Sequence, residues 1–469
     1  MRRLLFVLLF FAVVAATAKE SEQKRNVVFI LLDNCGQEWW GCYGSEEGCT
    51  PHLDRLAREG VRVENCYAPP LCSPSRVTAL TGRYLFRSGW VLHHDAALYG
   101  GGGLDPQREI TFARLFRDAG FQTGIVGKWQ INHLYEQPDA LTRHGFNEAL
   151  VWPGSVDWEK TDAGDRERFA QAIRDADVKT LGRITANIES RYWDPVLLRN
   201  GKRETHPGQF GPDLMQQFAL DFLRRHRNRP FLLYYPMVLT HHQGAGRGPV
   251  PTPLNRDETR SKQALYADMV RYADRLVGDV AAELDRLGLR NNTVLFVAAD
   301  NGSEGSFSAR RNGRVVRGGG YKLTEPGGNV PLIVHAPGLV PGGRTMTLAD
   351  FSDLLPTFCE LAGVPVPAEL AMDGFSFAGF LRGAAREPRR WIFNMYGEER
   401  VVRDARYKLY NDGRFYDLSR DPNEQQNLTE GALAERKRLQ AVLDAMPPDA
   451  PPPFELRSLS AFSRRQKGK

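Results

Sequence analysis

The chain has 469 residues, 42% of them hydrophobic and 25% charged, with a net charge of +6 at pH 7. That balance excludes a disordered or low-complexity protein and allows one large core with a smaller appendage. The basic excess is scattered and ends in Arg464-Arg465-Gln466-Lys467-Gly468-Lys469; without a nucleic-acid motif beside it, it reads as a solvated tail and excludes a nucleic-acid partner.

In chain order, Arg2 and Arg3 precede an apolar run from Leu4 to Val14, and Ala16-Thr17-Ala18 offers small residues for cleavage. This predicts a signal over residues 1–18 and an exported protein, periplasmic or secreted. The run is short for spanning hydrocarbon and no later segment is longer, so no stable membrane insertion is expected. A buried strand is predicted over Asn26 to Leu32, ending directly in Asp33-Asn34, and a helix over Pro51 to Glu59 closed by Gly60. Cys35, Cys42, Cys49 and Cys66 crowd ahead of Cys72 and leave several disulfide pairings open. Next comes Cys72-Ser73-Pro74-Ser75-Arg76-Val77-Thr78-Ala79-Leu80-Thr81-Gly82-Arg83, where Ser73 suits an N-cap and Pro74 a first helical turn. A thiol at such a helix start lies where unpaired N–H groups and the helix dipole attract an anion.

Further along, a helix is predicted over Thr111 to Ala119 before Gly120, then a strand over Phe121 to Val126 that leads into Gly127-Lys128-Trp129. A helix over Pro212 to Arg225 precedes a strand over Pro230 to Val238, which ends in Leu239-Thr240-His241-His242. After a long helical stretch from Thr259 to Leu287, a strand over Thr293 to Ala298 ends in Asp300-Asn301. A strand over Pro331 to His335 and a helix over Asp350 to Leu361 before Gly363, with Cys359 as a core residue, complete the series. The alternation predicts an α/β fold with a mostly parallel central sheet. Beyond Asp373, short strands over Trp391 to Met395, Arg400 to Val402, Lys408 to Tyr410 and Arg414 to Leu418 predict a small antiparallel sheet, followed by a helix over Ala432 to Ala445 and the proline-rich Pro447 to Pro453. The expected division is therefore a signal (1–18), a catalytic domain (19–372) and a small α+β subdomain with a loose basic tail (373–469).

Polar residues directly follow four buried strands: Asp33-Asn34, Lys128, His241 and Asp300-Asn301. In an open parallel sheet the ligand crevice lies at the carboxyl ends of the strands, so these groups are expected on one rim. Two acid–amide pairs offer only hard oxygen donors, which suits calcium, or magnesium, better than zinc or copper.

The Cys72 run resembles the signature of the type I sulfatases, Cys-x-Pro-Ser-Arg followed by Leu-Thr-Gly-Arg, within the alkaline phosphatase superfamily. The resemblance extends from about Asn26 to Leu428 and includes Arg414-Phe415-Tyr416-Asp417-Leu418-Ser419-Arg420-Asp421-Pro422-Asn423-Glu424. It implies an alkaline-phosphatase-like sandwich, oxidation of Cys72 to formylglycine by a formylglycine-generating enzyme, and a calcium site formed by Asp33, Asn34, Asp300, Asn301 and residue 72. It further implies that Arg76 holds the formylglycine and metal, that Lys128 and Lys322, the latter after Gly318-Gly319-Gly320-Tyr321, grip sulfate oxygens, and that His241, with His242 as the fallback, protonates the departing alcohol. A sulfate monoester carries one charge spread over three oxygens, which is why several fixed cations suit it. The implied reaction is hydrolysis of sulfate esters, of sulfated carbohydrates in particular, by attack of the hydrated formylglycine on sulfur.

Two positions depart from the family pattern. Asn34 stands where many members carry Asp, which removes a negative charge from the metal site. Gln130 stands where members carry a His, and glutamine cannot accept a proton, so sulfate release needs another base, water or His241. The departures keep two alternatives open: a phosphonate or phosphate ester hydrolase of the same superfamily, or an inactive carbohydrate-binding homologue in which Cys72 stays a thiol.

Overall fold

Every residue of β1 (Asn26–Leu32) is buried: Val27, Phe29 and Leu31 face one apolar layer, while Val28, Ile30 and Leu32 face another. A strand covered on both faces is what a near-continuous apolar run produces. The computed structural model describes residues 24–162, 164–175, 177–243, 248–428 and 430–454. The expected signal and the basic tail lie outside the described residues.

Strand β1 sits centrally in a ten-stranded sheet with β2 (Val61–Tyr67), β3 (Gln122–Lys128), β4 (Glu148–Trp152), β5 (Val196–Arg199), β6 (Lys202–Thr205), β7 (Phe231–Pro236) and β8 (Thr293–Ala299). A two-stranded ribbon of β9 (Ser308–Arg311) and β10 (Arg314–Arg317) follows β8, and β11 (Asn329–His335) and β12 (Arg344–Asp350) return to the main sheet. The order is β12-β2-β11-β8-β1-β7-β3-β4-β5-β6. From β8 through β1, β7 and β3 to β4 every pairing is parallel, so these strands end on the same edge. Strand β11 runs antiparallel to both β8 and β2, and β4, β5 and β6 pair antiparallel.

Helices Cys72–Thr81, Phe112–Asp118 and Leu354–Ala362 cover one face, where Phe29, Phe112, Tyr234 and Phe358 form an aromatic cluster with centroid spacings of 5.3–6.4 Å. Helices Pro51–Glu59, Gly211–His226 and Lys262–Arg286 cover the other. Burying each such side chain contributes about 1.5–3 kcal/mol. The C-terminal strands β13 (Ile392–Tyr396), β14 (Glu399–Arg403), β15 (Tyr407–Tyr410) and β16 (Phe415–Asp417) form the antiparallel sheet in that order, backed by helix Leu433–Asp444. Phe393, Met395, Val402 and Leu409 join the same apolar layer as Phe29. Arg389, fully enclosed, pairs with Asp350 at 3.0 Å and Asp353 at 2.6 Å at that junction.

The structure corrects some local expectations. Gly60 closes its helix as expected, though not in the left-handed region; its φ is −126°, and a Cβ there would lie 2.3 Å from the Val334 carbonyl, so glycine also serves a close approach to β11. Helix Lys262–Arg286 starts three residues later than expected because Ser261 caps it, its hydroxyl accepting from Ala264 N. The six cysteines are all thiols, and Cys359 is core as expected.

Candidate active site

The register pairs Leu32 with Ala299, so Asp33 and Asp300 leave adjacent parallel strands side by side. Asp300 N donates to the Leu32 carbonyl at 2.9 Å, and Asp33 N to that of Leu239 at 2.7 Å, which ties the ends of β8, β1 and the segment after β7 together. Asn34 then turns in the left-handed region at φ 61°. Its N–H donates to Asp300 Oδ1 at 3.0 Å, and its Oδ1 accepts from Asn301 Nδ2 at 2.6 Å, so the two acid–amide pairs form one cluster. At the end of β3, Gly127 has φ 121° and a Cβ there would lie 1.9 Å from the Pro236 carbonyl. Only glycine lets β3 and β7 approach so closely while Lys128 enters the site.

Cys72 is the first residue of helix Cys72–Thr81, and its N-cap is the extended Leu71. The expected Ser73 cap is therefore wrong. Ser73 lies one residue inside the helix, where its Oγ meets His93 Nδ1 at 3.0 Å and accepts from His94 N at 3.1 Å. The Cys72 thiol donates to Asp33 Oδ1 at 3.3 Å and Asn34 Oδ1 at 3.5 Å. One turn on, Arg76 bonds Asp300 Oδ2 at 2.7 Å and the Lys128 carbonyl at 2.8 Å. Lys128 Nζ bonds Asp33 Oδ2 at 2.7 Å. All four charged side chains are at most 1% exposed, so removing any one leaves a buried charge unpaired, at a cost of about 3–5 kcal/mol.

Burial alone would raise the Asp33 pKa, but Lys128, His241 and Arg76 outweigh it and hold the carboxyl well below its ordinary range. Asp300 is pushed up, by burial and by the charge of Asp33. Burial and these two carboxylates also raise the Cys72 thiol well above its usual value, so an unmodified Cys72 is not a thiolate nucleophile. The Asp33, Asn34, Asp300 and Asn301 side chains offer oxygen ligands, and Asn301 Oδ1 is buried without a hydrogen-bond partner among the described residues. An orphaned acceptor beside two carboxylates suits a hard divalent cation such as calcium, or magnesium. The donor set fits.

The cluster floors a cavity of about 180 Å³, lined among others by Asn34, Cys72, Lys128, Gln130, His241 and Asn301. His241 is half-buried, and its ring nitrogen, the Cys72 sulfur and an Asp33 carboxylate oxygen lie within 4.8 Å of one another. His241 Nδ1 is 2.9 Å from the His242 carbonyl, which can only accept, so Nδ1 carries the proton and Nε2 is the nitrogen left for proton transfer. Lys322 is exposed and stands outside the cavity lining, whereas its neighbour Tyr321 lines it. Gln130 turns at φ 71°, donates to Asp95 Oδ2 at 2.9 Å and leaves its Oε1 buried without a partner. His242, the fallback acid, also lines the cavity, as do His93, Asp95, Arg191 and Glu304, which no motif singled out. Burial lowers His93 to about 4, so a second neutral imidazole faces the site.

The Sulfatase family model matches residues 25–364, and the model of the C-terminal region of N-sulphoglucosamine sulphohydrolase matches residues 322–446. Human arylsulfatase D is 30% identical, over 84% of this chain and 75% of its own length. The N-acetylgalactosamine-6-sulfatase of Canis lupus familiaris is 31% identical, over 86% of this chain and 75% of its own. The crystal structure of Ps i-CgsB in complex with k-i-k-neocarrahexaose superposes with a TM-score of 0.75 at 23% identity, covering 95% of this chain and 98% of that one.

Proposed function

This chain belongs to the sulfatase family and is a sulfuric ester hydrolase, and on that premise we propose that it desulfates carbohydrates through a formylglycine made from Cys72 and a bound calcium ion. The observation that carries the proposal is the meeting of the Cys72 thiol with Asp33 and Asn34, at 3.3 and 3.5 Å, inside the cluster that Asp300 and Asn301 complete. The sugar substrate rests on relatives such as N-acetylgalactosamine-6-sulfatase and on the fold shared with a saccharide complex.

With residue 72 oxidised, its hydrated aldehyde supplies an oxygen nucleophile, and a divalent ion held by Asp33, Asn34, Asp300 and Asn301 supplies positive charge beside it. Arg76 fixes Asp300 and the Lys128 carbonyl, and so sets the rim against which the substrate aligns. Lys128 places its ammonium at the cavity floor, where a sulfate oxygen gains a charge-assisted hydrogen bond. His241 Nε2 delivers a proton to the departing oxygen. Lys322, expected to grip a second sulfate oxygen, lies exposed outside the cavity lining and has no part in the proposed reaction. The division proposed is a catalytic domain to residue 372 with a C-terminal subdomain after it. The apolar run from Leu4 to Val14 behind Arg2 and Arg3 supports an exported protein, and among the described residues no helix is long and apolar enough to cross a membrane.

The test is released sulfate from a panel of sulfated sugars and aryl sulfates, with matched phosphate esters alongside. Sulfate release faster than phosphate release supports the proposal; the reverse order would make the chain a phosphate ester hydrolase. In the same panel His241→Ala lowers kcat for alkyl sulfates by about 10²–10⁴ and for aryl sulfates, whose leaving groups need less protonation, by far less. Burial, chiefly, holds His241 well below its ordinary pKa. Its acid form therefore becomes scarcer as pH rises, and kcat/KM for alkyl sulfates is expected to climb from pH 8 toward pH 5 in the unaltered protein and to stay flat in His241→Ala. Equal losses on both substrate classes would remove the acid role from His241.

A further inference from the structure

The segment between β4 and β5 crosses one wall of the active-site cavity and brings Thr185, Ile188 and Arg191 into its lining. Arg191 is 3% exposed, and its guanidinium carbon lies 3.7 Å from the Trp152 ring centroid, stacked on a side chain that is itself 2% exposed. Trp152 is in turn fixed by its indole N–H, which donates to the Glu189 carbonyl at 2.7 Å. Arg191 Nη2 reaches the Gln243 carbonyl at 3.4 Å, while Nε and Nη1 are buried without a hydrogen-bond partner among the described residues. The carboxylates that feel its charge are engaged elsewhere, Asp33 by Lys128 and Asp95 by Gln130.

A buried cation with no counter-charge is strongly unfavourable unless a partner arrives. The stack on Trp152 holds the guanidinium in place but does not neutralise it. The scissile sulfate belongs beside Cys72 and Lys128, and Arg191 touches Trp152 and Gln243 instead of that cluster. We propose that Arg191 is the specificity-determining residue of a second anion subsite, one that takes a carboxylate or a further sulfate carried by the same saccharide. This rests on the carbohydrate sulfatase reading and names the class of sugar: one with two anionic groups, of which one is removed.

The experiment compares matched oligosaccharides that carry one scissile sulfate and, besides it, a neutral sugar, a uronate carboxylate or a second sulfate. The unaltered protein is expected to prefer one of the two charged forms by at least about tenfold in kcat/KM, and which form wins identifies the anion. Arg191→Leu raises KM for that substrate by about 30-fold and for the neutral one by less than about fivefold, and Arg191→Lys, which keeps the charge but not the planar fork, falls between. Calorimetry on the Cys72→Ala protein, which binds without turnover, reads the same order in Kd. Should Arg191→Leu lose its cooperative melt, Arg191→Lys carries the comparison. Equal KM shifts on all three substrates, or no preference in the unaltered protein, would overturn the subsite while leaving desulfation intact. Absence of sulfate release from every substrate would instead strike at the proposed function itself.

Discussion

Cys72→Ala is expected to lower sulfate release by at least about 10⁴-fold, to the level left by binding and electrostatics alone, while the cooperative melt of the protein survives. The side chain is small, 3% exposed and the first of a helix whose cap is the Leu71 backbone, so its loss removes little packing and no cap. A stability change of about 1 kcal/mol is the scale for such a truncation. The chemical loss is larger because a methyl group can be neither oxidised to an aldehyde nor hydrated. Activity of Cys72→Ala within tenfold of the unaltered protein would mean that the attacking group comes from elsewhere in the cavity.

Metal removal has the second-largest expected effect. Chelation should abolish turnover, and calcium should restore it, because the ion proposed between Asp33 and Asp300 would take up the unpartnered Asn301 Oδ1 and supply positive charge beside the nucleophile at residue 72. Asn34→Asp sharpens the test because its sign depends on the ion. Asp tolerates the left-handed turn at φ 61° and can still accept from Asn301 Nδ2. Without calcium, a third carboxylate in the cluster lowers the melting temperature. With calcium, the extra charge tightens binding by about tenfold and raises the melting temperature above that of the unaltered protein under the same conditions. Calorimetric titration and thermal melts in chelator and in calcium check both halves. Melting temperatures that ignore calcium in both proteins would remove the metal from the account.

Much of this site was legible because its residues follow apolar runs. Asp33 and Asp300 come directly after β1 and β8, and His241 lies five residues past β7, which ends at Pro236 rather than at the expected Val238; parallel pairing of β8, β1 and β7 brings them together. Strand β2 carried an alternation that went unread, because Val61-Arg62-Val63-Glu64 is short and Asn65 breaks its period; pairing with β11 and β12 on both sides holds it in place. The hairpin β5–β6 carried a signal that went unread: Asn200 and Gly201 turn with φ of 49° and 82°, the all-positive pair of a tight hairpin. Arg191 could not be read from the chain at all, because what marks it is the absence of a partner, a property of three-dimensional surroundings. Lys322 illustrates the converse: a matching sequence context fixes the backbone neighbourhood, yet the side chain stands exposed outside the cavity lining.

The account stands on the chemical state of residue 72. Its direct measurement is the mass of the peptide spanning that residue, taken from protein produced together with a formylglycine-generating enzyme. An aldehyde in place of the thiol, in a preparation that also releases sulfate, is the predicted result. An unmodified thiol in protein that hydrolyses sulfate esters at full rate would contradict it.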